Sequence, residues 1–253
     1  MLEILNLTRT FPNGKQAFKD LTLHVDDGEI VGILGTSGCG KSSLLRVIAG
    51  LDSAAGDVLL DGIPVSGRSP NVGLVFQEPR LMPWLTVQEN AEFGLLGRNL
   101  PRAELITLRA HWIEKVGLSG YESHYPKECS GGMAQRASLA RTLVTAPEIL
   151  LLDEPFGALD AFIRMQLQDV LLEIWNEAKS TIVLVTHDID EALYLCDRIL
   201  VLRGQPGVLT GEFTIVQERP RSRGDADLGR IKVDILELLN LNTHHESALE
   251  FVL

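Results

Sequence analysis

Apolar residues recur along this chain with two periods. Leu2, Ile4 and Asn6, then Leu21, Leu23 and Val25, hold alternating positions, and Asn13-Gly14 and Asp27-Gly28 mark turns between them, so residues 1–34 read as strands. Glu29–Leu34, Val72–Phe76, Ile149–Leu152, Thr181–Thr186 and Ile199–Leu202 are short apolar runs, the pattern of strands covered on both faces, with Ile199–Leu202 the last core strand. Asp57–Gly62 adds a strand and a turn. Helical spacing appears in Leu44–Ala49, which stops at Gly50, and in Ala161–Ala178 through Met165, Leu167, Leu171 and Trp175. From Leu81 to about Leu118 strand-like runs are absent. Thr86–Asn90 opens a helix in capping style, and Pro101 opens another at its first position, with a stripe of Leu105, Leu108, Trp112, Ile113 and Val116. This stretch reads as a helical subdomain inserted in an α/β core. After a charged stretch from about residue 217, a helix is expected over Leu228–Leu239.

Between the run Glu29–Leu34 and the helix at Leu44 stands Gly35-Thr36-Ser37-Gly38-Cys39-Gly40-Lys41-Ser42, followed by Ser43. This fits G-x-x-x-x-G-K-[ST] in the strand–loop–helix context the motif requires, the phosphate-binding loop of nucleotide hydrolases. The loop amides and the first helical turn would converge on phosphate oxygens, helped by the helix dipole. Lys41 would reach the β- and γ-phosphates and Ser42 would hold Mg²⁺. Cys39 stands at a helix start, which lowers a thiol's pKa, so the bound nucleotide is expected to shield it from alkylation.

Other chemistry collects at the strand ends. Ile149–Leu152 delivers Asp153 and Glu154; the first suits Mg²⁺ through its hydration shell and the second the attacking water. Two adjacent carboxylates at a core edge are costly without a cation. Gln77 leaves a core strand ahead of Glu78-Pro79, where it either coordinates Mg²⁺, orients water or caps the loop. Thr181–Thr186 delivers His187 to the same edge, beside a γ-phosphate it could sense. Phe11, ahead of the phosphate loop, either stacks on a purine or packs in the core. Cys129-Ser130-Gly131-Gly132-Met133 precedes an amphipathic helix with Ala137, Leu139, Ala140, Leu143 and Val144, and offers backbone donors to an anion. Met82, Trp84 and Leu85 are either core or an exposed docking patch. His244-His245 reads as surface.

Composition narrows the class. The 253 residues suffice for a full core, and the apolar share of 45% and charged share of 23% are ordinary for a globular protein. A net charge of -11 argues against a nucleic-acid binder. No uncharged apolar run approaches the roughly 18 residues of a membrane span. The N-terminus lacks the basic start of a signal peptide. Three cysteines, Cys39, Cys129 and Cys196, cannot pair evenly and lack metal spacing, so a cytosolic protein with reduced thiols is expected.

Taken together these residues resemble the ATP-binding cassette (ABC) ATPases, over about residues 1–240. Gly35 to Ser42 matches the Walker A loop, Gln77 the Q-loop, Ser130-Gly131-Gly132 the signature, Asp153-Glu154 the Walker B end with its catalytic glutamate, Ala158-Leu159-Asp160 the D-loop and His187 the H-loop. Phe11 falls where the family has its adenine-stacking aromatic. The signature departs from its usual Leu-Ser-Gly-Gly-Gln by Cys129 and Met133. Gln77–Trp84, Ser130–Met133 and Arg219–Arg223 further resemble the nitrate, sulfonate and taurine import group. The resemblance implies a P-loop nucleotide hydrolase core with an antiparallel β subdomain and an α-helical subdomain inserted at about 81–145, and a tail at 241–253. It implies ATP and Mg²⁺ as cofactors, and a head-to-tail dimer, of like chains or with a related cassette, in which Ser130, Gly131 and Gly132 meet the partner's ATP. A membrane permease, and indirectly a substrate-binding protein, are the further partners, with the chain cytoplasmic on the inner face of the membrane. The alternative is a stand-alone nucleotide-dependent interaction module or a soluble ABC ATPase outside transport. A DNA-repair relative would carry a long coiled-coil insertion, a translation factor a second cassette, and a small-molecule kinase would have no use for the signature or His187.

Overall fold

The computed structural model describes residues 1–157 and 159–239; the readings at Ala158, at His244-His245 and on the tail 241–253 lie outside the described residues. In chain order the strands and helices begin with β1 (Leu2–Thr10), β2 (Gln16–Val25), β3 (Ile30–Gly35), α1 (Lys41–Ile48), β4 (Ala55–Leu60), β5 (Ile63–Pro64) and β6 (Val72–Val75). Three helices follow: α2 (Val87–Phe93), α3 (Arg102–Lys115) and, after a 3-10 turn at Pro126–Glu128, α4 (Gly131–Leu143). The remainder is β7 (Ile149–Asp153), α5 (Ala161–Ala178), β8 (Thr181–Thr186), α6 (Ile189–Leu195), β9 (Arg198–Arg203), β10 (Val208–Thr214) and α7 (Ala226–Leu238).

The unbroken apolar runs become the inner strands of a sheet in the order β10-β9-β3-β8-β7-β6, parallel except for β10. Successive side chains of a strand point to opposite faces, so one continuous apolar run serves two cores. Ile30 and Leu34, Leu150 and Leu152, Ile182 and Leu184, and Ile199 and Val201 face a core shared with α2 to α7. Their neighbours Val31 and Ile33, Ile149 and Leu151, Val183 and Val185, and Leu200 and Leu202 face a second core. That second core takes in α1 and the antiparallel sheet β2-β1-β4-β5, whose alternating Leu2, Ile4, Leu21, Leu23 and Val25 are its inner face. Thr86 caps α2 with the reciprocal Glu89 bond its sequence announces.

Three features depart from the sequence reading. Pro101 stands just outside α3, extended at φ -56° and ψ 141°, so the helix begins one residue later. The sheet ends not at Ile199–Leu202 but at β10, a mostly exposed edge strand carrying a glycine and a register shift between Leu209 and Gly211, which leave no unbroken apolar run to read. Helix α6 also escapes periodicity: it has seven residues, six of them buried, and a helix covered nearly all round shows no stripe.

The charged stretch beyond residue 217 is not simply solvated. Arg221 is buried and donates to the carbonyls of Leu193, Tyr194 and Cys196 at the C-terminal end of α6, as well as to Gln217. Cations at a helix C-terminus are favoured by its exposed carbonyls and dipole. Burial, with the positive charge of Arg219 adding to it, lowers the Arg221 pKa to about 10, still charged at neutral pH.

The loop after β3 is seated by backbone on backbone. Gly207, in the β9–β10 hairpin, donates to Ala17 O and accepts from Lys19 N, and a Cβ at Gly207 would lie 2.0 Å from the carbonyl oxygen of Cys39. Gly207→Ala should therefore lower stability by about 1–3 kcal/mol, as overpacking does. The check is the urea midpoint at an unchanged slope; a midpoint equal to the parent's would refute the close-packed seat.

Candidate functional site

The site begins where β3 ends. After Gly35 the chain turns, with Cys39 N donating to Thr36 O, and enters α1 through Gly40, which is at φ 94° in the left-handed region. A side chain there would also meet Ala17 O at 2.6 Å, so the position calls for glycine on both counts. Gly40 has no side chain with which to cap α1. The first-turn amides of a helix lack helical partners, so this entrance presents donors to an anion. Lys41 is buried, and its Nζ donates to Gly35 O at 2.8 Å and Thr36 O at 3.3 Å, which curls the ammonium over the loop.

A cleft of about 440 Å³ opens above this turn. Its walls bring together Phe11, Ser37, Gly38, Gly40, Lys41, Ser42, Ser43, Gln77 and Glu154, residues from four separate segments. Phe11 is half-buried, with the Arg9 guanidinium 5.4 Å from its ring centroid. Gly35 and Cys39 lie beneath the loop rather than in the cleft. Cys39 is fully buried, and burial pushes its thiol pKa up, outweighing the opposing pull of Lys41. The expectation of a reactive Cys39 is thereby corrected: the helix start lowers a thiol's pKa only where solvent or a cation can stabilise the thiolate.

Across the cleft the strand ends meet. Ser42 Oγ donates to Asp153 Oδ1 at 2.9 Å, tying α1 to β7. Gln77 Nε2 donates to Glu154 Oε2 at 3.0 Å, and His187 Nδ1 lies 3.2 Å from the same oxygen. The segments leaving β6 and β8 thus each aim one side chain at the carboxylate that follows β7. Glu154 sits at φ 45°, in a conformation that costs a non-glycine residue about 1–3 kcal/mol and persists only where its surroundings enforce it. Burial raises the Asp153 pKa; the Ser42 hydroxyl opposes that shift and the charge of Glu154 adds to it. Such a pair gains from a cation. No cluster of three or more His, Cys, Asp or Glu side chains suited to a metal exists among the described residues. Ser42, Asp153 and Gln77 instead offer hard oxygens of the kind Mg²⁺ shares with substrate phosphates.

Of the predicted residues, Asp153 and His187 reach the cleft only through Ser42 and Glu154, Thr36 is not in its lining, and neither Ser130–Gly132 nor Asp160 lines it. Ser130 caps α4, its hydroxyl accepting from Met133 N at 3.2 Å, and Gly131 and Gly132 are the first residues of that helix. Gly132 lies against Ile163 and Leu159, at the start of α5. Asp160 caps α5, accepting from Phe162 N and Ile163 N. Sequence reading missed Asn90, which is fully buried and donates to the carbonyls of Met82, Leu85 and Thr86, so holding the segment after Gln77. On that segment Trp84 is 69% exposed while Met82 and Leu85 are half-buried. Nothing in the spacing of an isolated asparagine announces such a role.

Comparison with known proteins agrees with this architecture. The family model described as ABC transporter matches residues 18–157. The chain is 46% identical over 242 residues to an uncharacterised ABC transporter ATP-binding protein of Methanocaldococcus jannaschii, covering 94% of this chain and 91% of the relative. It is 48% identical over 227 residues to an aliphatic sulfonates import ATP-binding protein of Pseudomonas syringae pv. tomato, covering 90% of this chain and 93% of the relative. Among solved structures, a dimeric ATP-binding cassette in a post-hydrolysis state bound to ADP and Pi superposes with a TM-score of 0.78 at 31% identity, covering 86% of this chain and 100% of that one. A cassette from Clostridium perfringens that is part of an ABC transporter complex superposes with a TM-score of 0.79 at 25% identity, covering 95% and 94%. Matched by the family model over more than half its length and by close relatives over nine-tenths of it, this chain belongs to the ABC transporter family, as one of its ATP-hydrolysing cassettes.

Proposed function

We propose that this chain is the ATP-hydrolysing subunit of an importer, coupling nucleotide turnover to uptake of a small anion or organic solute of the sulfonate kind. The observation that carries the catalytic part is the convergence of Gln77 and His187 on Glu154 Oε2, beside the Ser42–Asp153 pair and the loop of Lys41. Glu154 is the group that polarises the attacking water, and Gln77 and His187 hold its carboxylate and report the γ-phosphate. Loop residues Gly35 to Ser43 bind the phosphates through their amides and Lys41, while Phe11 stacks on the base. Ser42, Asp153 and Gln77 would hold Mg²⁺, which neutralises phosphate charge when bound.

Ser130, Gly131 and Gly132 have no part in the chain's own cleft, a position that suits a residue set serving a second copy. In this reading two cassettes, identical or related, face each other head to tail, and the signature of each closes the other's ATP, with Asp160 at the same interface. The dimeric relative bound to ADP and Pi supports this arrangement. The helical insertion at about 81–145, joined to the core by the Gln77 loop, carries the motion to a membrane permease, and the exposed Trp84 with Met82 and Leu85 contributes to its docking groove. In this reading the permease and the substrate-binding protein are further partners, the second acting through the first. The solute class rests on the sulfonate-import names of the relatives.

Glu154→Gln should lower ATP turnover by about 10²–10⁴-fold, the range for loss of a general base, while ATP affinity persists and dimer accumulates on a sizing column run with ATP. Undiminished turnover from a monomer would sink the assignment. Lys41→Ala should abolish nucleotide binding in equilibrium titration with ATP, and an affinity near the parent's would contradict the phosphate-loop role.

A further inference from the structure

One cluster beside the cleft is not used by the reading above. Arg164, one turn into α5, spends its guanidinium on two segments at once. Its Nη1 donates to Asp188 Oδ2 at 2.7 Å, and its Nη2 donates to the backbone carbonyl of Leu159 at 3.3 Å. Leu159 belongs to the turn that follows Glu154, whose own bonds run Gly157 N to Glu154 O and Leu159 N to Phe156 O. Asp188 is the residue after His187 and caps α6, its Oδ1 accepting from Glu191 N at 3.1 Å. The same turn is tightened by Asp188 N donating to Thr186 Oγ1 at 3.0 Å. A single cation therefore grips both Leu159, next to Asp160, and the turn that aims His187 at Glu154.

Glu191 completes the cluster. Arg164 Nε and Glu191 Oε1 are buried and have no hydrogen-bond partner. Glu191 is 4% exposed, and burial, with the charge of Asp188 adding to it, raises its pKa to about 8. At neutral pH it is mainly a neutral acid under the His187 turn, close enough to Arg164 to feel its charge. The Thr186 hydroxyl bonds the Glu191 carboxyl, so Glu191 is joined to the strand end that carries His187.

We propose that Arg164 and Asp188, backed by Glu191, form a positioning relay that ties the Leu159-Asp160 segment to the His187 turn, so that movement of the first resets the reach of His187 to Glu154. The relay rests on the roles given to Glu154 and His187 above.

The test is steady-state ATPase of the purified full chain, with kcat and KM for ATP measured separately and the melting temperature recorded for each variant. Asp188→Asn is the informative change, since asparagine keeps the helix cap but removes the charge facing Arg164. Asp188→Asn and Arg164→Gln should each lower kcat about tenfold with KM within about twofold, the scale of coupling inside one charge network, and the double variant should lose no more than either alone. Arg164→Lys should recover part of the loss, and Lys232→Ala, which removes an exposed ion pair to Asp190 on the same helix, should leave kcat unchanged. A parent-like kcat for either single variant, losses that multiply in the double variant, or a fall in kcat that follows only the melting temperature would overturn the relay. Glu154→Gln, run alongside, separates the two levels. Full turnover in that variant overturns the site reading and the relay with it, whereas a stalled Glu154→Gln beside a parent-like Asp188→Asn overturns the relay alone.

Discussion

A strand covered on both faces has room for polar side chains only where it ends. Burying an unpaired polar group in either core would cost several kcal/mol, so β7, β8 and β9 are apolar in their interiors and carry their polar residues (Asp153, Thr181, Thr186, Arg198, Arg203) at their ends. In a parallel sheet the C-terminal ends lie on one edge. Gly35, Asp153 and His187 are thereby delivered to the same edge by a constraint of solvation rather than by any contact among themselves. The loop with Lys41, the carboxylate of Glu154 and the amide of Gln77 are what that edge collects.

The collection is expensive in local terms and is held by its surroundings. Asp153 and Glu154 are adjacent carboxylates, one of them with a pKa raised by burial. Glu154 stands in the left-handed region, and Lys41 has its ammonium under cover among carbonyls. Each would relax in a loop free to move. Here the loop is clasped by the β9–β10 hairpin and the start of β2, where glycines let main chain meet main chain, and β7 is fixed between β6 and β8. Stability from the two large cores offsets the strain of a site arranged for a charged ligand, the usual division between scaffold and function.

Charge does a second job on the helical side. Arg221 ends α6 by taking three of its carbonyls, and Arg164 links the start of that helix to the start of α5. Helix α6, whose first turn follows His187, is thus gripped by arginine at both ends. Neither grip leaves a periodic trace, because an arginine bonded within the fold is indistinguishable in sequence from a solvated one.

The sequence by itself determined the class of the fold and the identity of the phosphate loop. Apolar runs of strand length, a glycine loop and a following helix are local facts, set by side-chain period and backbone freedom, and they survive without knowledge of neighbours. It also named Gln77, Glu154 and His187 one at a time, each as the residue at a strand's mouth. Only the tertiary structure decided that all three meet at one oxygen, that Cys39 is sealed under its loop, and that Ser130–Gly132 stand apart from the chain's own cleft. It decided, too, the edge strand β10, the short helix α6 and the grips of Asn90, Arg164 and Arg221. The reason is the same in each case: these depend on which polar atom lies within three ångströms of which, and such distances come from packing between segments far apart in the chain, where neither period nor propensity reaches.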